Sequence, residues 1–221
     1  MSGREMQYRM VRFETGPFAE NCYVVGSKAT KNAILIDPGD EMDSVQRGIE
    51  REGFTIEAIL LTHGHIDHAA GLADWKEKTK APVYYHELEA AMVQGLTLQG
   101  FMFGLRAKNG PPPDYVLKGG ETLHLIGLSI IVLHTPGHTA GGVCFWIPEL
   151  RWLISGDVLF QGSIGRTDLP GGDYATLIGS IQAKLLVLPE ESTVFPGHGP
   201  KTTIGRERTA NPFLAGLSST P

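Results

Sequence analysis

The chain has 221 residues and a mass of 24.0 kDa, with 42% hydrophobic and 19% charged residues. That composition supports one domain, spanning residues 1–221, with a buried core, and excludes a disordered or disulfide-stapled chain. A formal charge of -5 and a pI near 5.9 exclude a general binder of nucleic acid or of an anionic membrane, since both require a basic face.

Tyr8 to Phe13, Asn21 to Gly26 and Ala33 to Asp37 read as three strands of an antiparallel meander, separated by Gly, Pro, Asn and Lys turn signals. Asp43 to Glu52 places Val45 and Ile49 four apart among charges, a short amphipathic helix ended by Gly53. An apolar strand, Ile56 to Leu61, follows; then come a helix over Ala69 to Lys80, a strand over Pro82 to Tyr85 and a helix over Glu87 to Leu98. Gln99 to Asp114 holds three glycines and the run Pro111-Pro112-Pro113 and reads as a surface loop. Strands resume at Glu121 to Leu125, Leu128 to His134, Val143 to Ile147 and Trp152 to Ser155, before a helix from Tyr174 to Leu188 capped by Asp173. Two halves that each run strands and then a helix predict two sheets packed face to face with helices outside. The longest apolar run, Leu123 to Leu133, is broken by His124 and Ser129 and falls short of the ~20 residues of a membrane span. Residues 1–11 carry Arg4, Glu5 and Arg9 without an apolar stretch, so a cytoplasmic protein is expected. Cys22 and Cys144 sit in apolar strand contexts and read as buried thiols.

Thr62-His63-Gly64-His65-Ile66-Asp67-His68 follows directly on an apolar strand and puts four potential metal ligands within six residues. On a continued strand His63 and His65 point to the same side, and a turn after Ile66 swings Asp67 and His68 toward the same point. Imidazole with carboxylate suits zinc, iron or manganese, and a cation would keep three neighbouring histidines from repelling on protonation. Two more histidines, His138 and His198, each follow a Pro-Gly turn after a strand, and Asp157 ends another strand behind Gly156. Five histidines and two aspartates thus collect at strand ends, enough for two ions with a shared carboxylate. His86, His124 and His134 lack neighbouring ligands and read as ordinary histidines.

In order and spacing these residues resemble the metallo-β-lactamase fold superfamily. The resemblance implies an αββα four-layer sandwich of the α/β (α+β) class. It also implies two divalent metal ions, Zn foremost with Fe or Mn as alternatives: His63, His65 and His138 on one, Asp67, His68 and His198 on the other, and Asp157 bridging. Asp37 in Ile36-Asp37-Pro38-Gly39 resembles the family's supporting aspartate behind the ligands; a turn-starting Asp is the alternative. Within the superfamily, Ser155 to Arg166 and the tail Glu207 to Leu214 are similar to compact glyoxalase II-like hydrolases. Only 23 residues follow His198, so no separate C-terminal helical glutathione-binding domain is expected, and Arg166 and Asp168 stand where full-length members have lysine and tyrosine.

The expected activity is hydrolysis of a small-molecule thioester such as S-lactoylglutathione by hydroxide generated at the metals, with Asp67 orienting it and Arg166 on the Gly162 to Gly172 segment contacting the anionic part of the substrate. Its alternatives are a mononuclear iron persulfide dioxygenase using two of the histidines and one aspartate, and a phosphodiesterase, which the acidic charge disfavours. Zinc β-lactamase activity is disfavoured by Asp157, where those enzymes commonly carry cysteine.

Overall fold

Apolar side chains along each central strand alternate between two destinations, and the alternation builds the layers. The computed structural model describes residues 7–215. Strands β1 (Tyr8–Thr15), β2 (Glu20–Ser27) and β3 (Asn32–Ile36) form the expected antiparallel meander. Helix α1 (Met42–Glu52) carries the chain to β4 (Thr55–Leu60), which pairs parallel to β3. Helices α2 (Ile66–Ala69) and α3 (Leu72–Thr79) lead to β5 (Val83–His86), and α4 (Ala90–Gln94) and α5 (Leu96–Phe103) lead to β6 (Tyr115–Leu117). These strands make one sheet in the order β1-β2-β3-β4-β5-β6.

The second half repeats the plan with β7 (Thr122–Leu125), β8 (Leu128–His134), β9 (Val143–Ile147), β10 (Trp152–Gly156), the hairpin β11 (Leu159–Phe160) and β12 (Ser163–Ile164), α6 (Tyr174–Ser180), β13 (Thr193–Pro196), β14 (Thr202–Thr203) and α7 (Ile204–Ala210). Its sheet runs β14-β13-β10-β9-β8-β7. Tyr23, Val25, Ile34, Ile36 and Leu60 from the first sheet meet Ile130, Val132, Phe145, Ile147 and Ile154 from the second in one central core. Their sequence neighbours Cys22, Val24, Leu35 and Ile59 face the other way, against Val45, Ile49, Leu72, Trp75 and Leu96 of the helices. On the far side, Cys144, Trp146 and Leu153 pack against Leu177, Ile181, Leu185 and Ile204. The result is the αββα sandwich, and strands buried on both faces explain why β3 and β9 read as nearly continuous apolar runs. Among the described residues no helix is long and apolar enough to cross a membrane.

Four expected elements differ; the helix over Tyr174 to Leu188 is α-helical to Ser180 and continues as a π-helical turn, Ile181–Leu185. The helix over Ala69 to Lys80 is two helices, because Gly71 packs against Pro38 and Gly39 and its N–H donates to the Pro38 carbonyl at 2.9 Å, breaking the run. The helix over Glu87 to Leu98 opens with a 3₁₀ turn, Glu87–Glu89, and breaks at Gly95. The loop expected from Gln99 is helical to Phe103, since Gly100 is buried inside α5, and the prolines lie beyond it.

Candidate metal centre

Every residue singled out as a metal ligand or its support lies just beyond the C-terminal end of a strand. In the first sheet β3 and β4 run parallel and deliver Asp37 and the segment 62–68. In the second, β10 and β13 run parallel, and β8 shares their direction because it is antiparallel to β9, itself antiparallel to β10. His138, Asp157 and His198 therefore emerge at one edge. The two sheets are stitched there by main-chain bonds, Val143 N–H to the Thr62 carbonyl at 2.9 Å and Asn21 N–H to the Gly197 carbonyl at 2.7 Å. Glycine allows the approach: a Cβ on Gly156 (φ 48°) would lie 2.4 Å from Thr62 Oγ1, and one on Gly197 would lie 2.2 Å from Asp157 Oδ1.

The structure brings all seven expected ligands together. His138 Nε2 is 3.3 Å from His63 Nε2 and 3.0 Å from His65 Nδ1. His198 Nε2 is 3.2 Å from Asp67 Oδ2, and His68 Nε2 is 3.8 Å from the same oxygen. Asp157 lies between the two groups, with Oδ1 3.3 Å from His68 Nε2 and Oδ2 3.5 Å from His198 Nε2 and 3.7 Å from His138 Nε2.

Four of the five imidazoles, those of His63, His68, His138 and His198, are oriented through the other nitrogen, leaving the inward one as a lone-pair donor. His138 Nδ1 bonds the Arg166 carbonyl at 2.8 Å, His198 Nδ1 the Phe18 carbonyl at 3.1 Å and His63 Nδ1 the Thr62 hydroxyl at 3.1 Å. His68 Nδ1 lies 3.0 Å from Asp37 Oδ2. Asp37 also accepts from the Thr62 N–H and hydroxyl, both at 2.7 Å, so this buried carboxylate supports two ligands rather than only starting a turn.

Charge and desolvation make this cluster costly without a cation. Burial and the neighbouring histidines hold His63 well below the ordinary imidazole range, and burial with His138 and His68 lowers His65 to about 4. Burial opposes charge on His68 and His198 too, but the Asp157 and Asp67 carboxylates outweigh it, pushing His68 up and His198 to about 10. Two buried ligand atoms, His68 Nε2 and Asp157 Oδ1, complete no hydrogen bond. Donors held ~2.0–2.1 Å from one tetrahedral ion lie about 3.3 Å from each other, which matches the His138–His63 and His138–His65 spacings. The donor set fits a divalent cation.

Four supporting residues carried no signal in the sequence. Glu89 is fully buried and accepts from Gly64 N–H and Gly141 N–H, both at 2.7 Å, clamping the His63-Gly64-His65 turn to the loop after His138. Asn21 and Tyr23 on β2 donate to the Pro196 carbonyl at 2.9 and 2.7 Å and hold the turn before His198. Glu20 Oε1 lies 3.8 Å from His68 Nδ1; burial pushes this carboxyl well up, toward its neutral form. At Arg166 it is the main-chain carbonyl that touches the site, while the exposed guanidinium forks onto Asp168 at 2.7 and 2.8 Å. His86 and His134 stack on each other, ring centroids 4.5 Å apart, outside the donor groups.

Comparison with known proteins agrees with this geometry. Residues 15–198 match the family described as the metallo-beta-lactamase superfamily. The chain is 40% identical to a probable metallo-hydrolase, YqgX, of Bacillus subtilis, covering 94% of this chain and 98% of that one. It is 41% identical to the hydroxyacylglutathione hydrolase GloC of Haemophilus influenzae, covering 89% and 93%. Among solved structures, the BLEG-1 B3 metallo-beta-lactamase superposes with a TM-score of 0.88 at 39% identity, covering 94% of this chain and all of that one. A di-iron-bound form of TTHA1623 superposes with a TM-score of 0.84 at 41% identity, covering 92% and 100%.

Proposed function

The chain belongs to the metallo-beta-lactamase superfamily, and from that premise we propose that it is a binuclear metal-dependent hydrolase of thioesters. The observation that carries this reading is the placement of Asp157 between two donor groups, His63/His65/His138 and Asp67/His68/His198, within 3.7 Å of members of both. Bound there, two divalent ions, zinc or iron, would supply the positive charge that lowers the pKa of water and polarises a carbonyl. The di-iron form of TTHA1623 supports iron as a candidate.

The chain's own residues do the rest. Asp67, partly exposed and facing His198, would accept a hydrogen bond from the attacking water and aim it at the carbonyl carbon. Asp37, Thr62 and the Phe18 and Arg166 carbonyls keep His68, His63, His198 and His138, respectively, in the tautomer that presents a lone pair inward. A thiolate leaves without acid assistance, since a thiol of pKa near ~8.5 is already a good leaving group at neutral pH. The relationship to a hydroxyacylglutathione hydrolase supports a thioester as the substrate. A second reading, β-lactam hydrolysis, is favoured by the likeness to BLEG-1.

Metal content, and rates on S-lactoylglutathione, glutathione persulfide and nitrocefin, measured on one preparation, test the proposal. Two ions per chain with thioester hydrolysis are expected. A single iron with persulfide oxidation and no hydrolysis, or turnover of nitrocefin alone, overturns it.

A further inference from the structure

Helix α5 has no ionisable side chain, and only Leu96 and Gly100 turn inward. Leu98, Phe101, Met102 and Phe103 are 67%, 84%, 71% and 53% exposed. A surface helix ordinarily shows water its polar face, and each large apolar side chain left in solvent forgoes the free energy of burial. Such a concentration of apolar surface marks a place where something apolar binds.

The position of the helix says what. Gln99 Nε2 donates to the Gly64 carbonyl at 3.2 Å, between the ligands His63 and His65. At the other end Phe103 packs edge-on against Phe18, ring centroids 5.7 Å apart, and the Phe18 carbonyl holds His198. Helix α5 therefore reaches from one part of the donor cluster to another and walls the rim between them. Phe160, whose ring centroid is 6.2 Å from that of His198, adds a further aromatic surface beside the same ligand.

We propose that α5 and Phe18 form the docking wall for an apolar acyl chain, so that the preferred substrates are thioesters of medium-length aliphatic or aromatic acids. This rests on the thioesterase reading. Biological carrier thiols bear carboxylates or phosphates and would want cations, which α5 lacks, so the apolar part of such a substrate is its acyl group.

The test uses the metal-loaded full chain and a series of S-acyl-N-acetylcysteamines from acetyl to octanoyl, with titration calorimetry of acetate and octanoate. At ~0.8 kcal/mol per fully buried methylene, partial burial predicts kcat/KM rising about tenfold from acetyl to hexanoyl. A Phe101→Ser/Phe103→Ser variant should lose more on hexanoyl than on acetyl, with Phe103→Leu restoring part of the preference. Hydrolysis with no dependence on chain length, and equal binding of the two carboxylates, overturns the wall while leaving the hydrolase. Octanoate binding that exceeds acetate binding and falls in the serine variant, with no thioester cleaved, supports the wall and removes the thioesterase reading. A wild-type dimer that the serine variant converts to monomer, with no chain-length preference, assigns the face to a second copy and overturns the proposal.

Discussion

Replacing Glu89 by alanine should damage both stability and metal binding, although Glu89 is not one of the seven candidate ligands. Its two oxygens each accept a main-chain N–H at 2.7 Å, one from Gly64 between two ligands and one from Gly141 in the loop after His138. A hydrogen bond to a charged group contributes ~1.5–3 kcal/mol, and an abandoned buried donor costs ~1–3 kcal/mol. Burial raises the Glu89 carboxyl pKa, so the lower half of the first range applies. Two such bonds then give about 3 kcal/mol for Glu89→Ala, and Glu89→Gln, which keeps one acceptor, should lose about half of that. Urea denaturation of the metal-free protein reads the stability, and competition with a chromophoric chelator reads zinc affinity. Because the clamp sets the spacing of His63, His65 and His138, affinity should fall by about 10–100-fold, as for other supports behind metal ligands. An alanine variant within ~0.5 kcal/mol of wild type and with unchanged affinity would refute the clamp, since a change that small lies within the ordinary scatter of surface substitutions.

Asp157→Ala should reduce the metal content from two ions to one or none and abolish hydrolysis, because the carboxylate lies within 3.7 Å of donors of both groups; retention of two ions, measured by elemental analysis, would show that it does not bridge. Gly197→Ala places a methyl 2.2 Å from Asp157 Oδ1 and 2.6 Å from His68 Cε1, so metal uptake should be lost with the far-UV circular dichroism preserved; normal uptake would mean that the turn yields cheaply. Arg166→Ala should alter KM for S-lactoylglutathione by less than about twofold, since the guanidinium is engaged by Asp168 and it is the main-chain carbonyl that bonds His138. A tenfold rise in KM at constant kcat would instead make it the substrate contact that its position in the loop first suggests.

The candidate ligands were legible because they are local in sequence or flagged by a turn. His63, His65, Asp67 and His68 sit in one heptapeptide, and His138 and His198 follow Pro-Gly. The face-to-face sheets were legible from strands placed before helices in each half. Glu89 was hidden because its meaning depends on two N–H groups 25 and 52 residues away, and a glutamate beside Glu87 in a short helical turn resembles any solvated charge. The helical start of the segment from Gln99 was hidden by Gly100, whose lack of a side chain reads as a breaker. In the fold it is a packing requirement, since a Cβ there would lie 2.7 Å from the Leu105 carbonyl. At β6 the three prolines masked a three-residue edge strand that pairs parallel to β5.

Stitching of the two sheets at the donor edge has a kinetic consequence. His63 and His198 are far apart along the chain, and the parallel pairings β3 with β4 and β10 with β13 each close a long loop before they gain contacts. Until Val143 meets Thr62 and Asn21 meets Gly197, no more than part of the donor set exists at one place. Cations should therefore leave the refolding rate nearly unchanged and slow unfolding instead, because the interactions they add are absent from the transition state. The ions would then act as a latch fastened after folding is complete, and the lifetime of the native state, more than the speed of reaching it, would depend on metal supply.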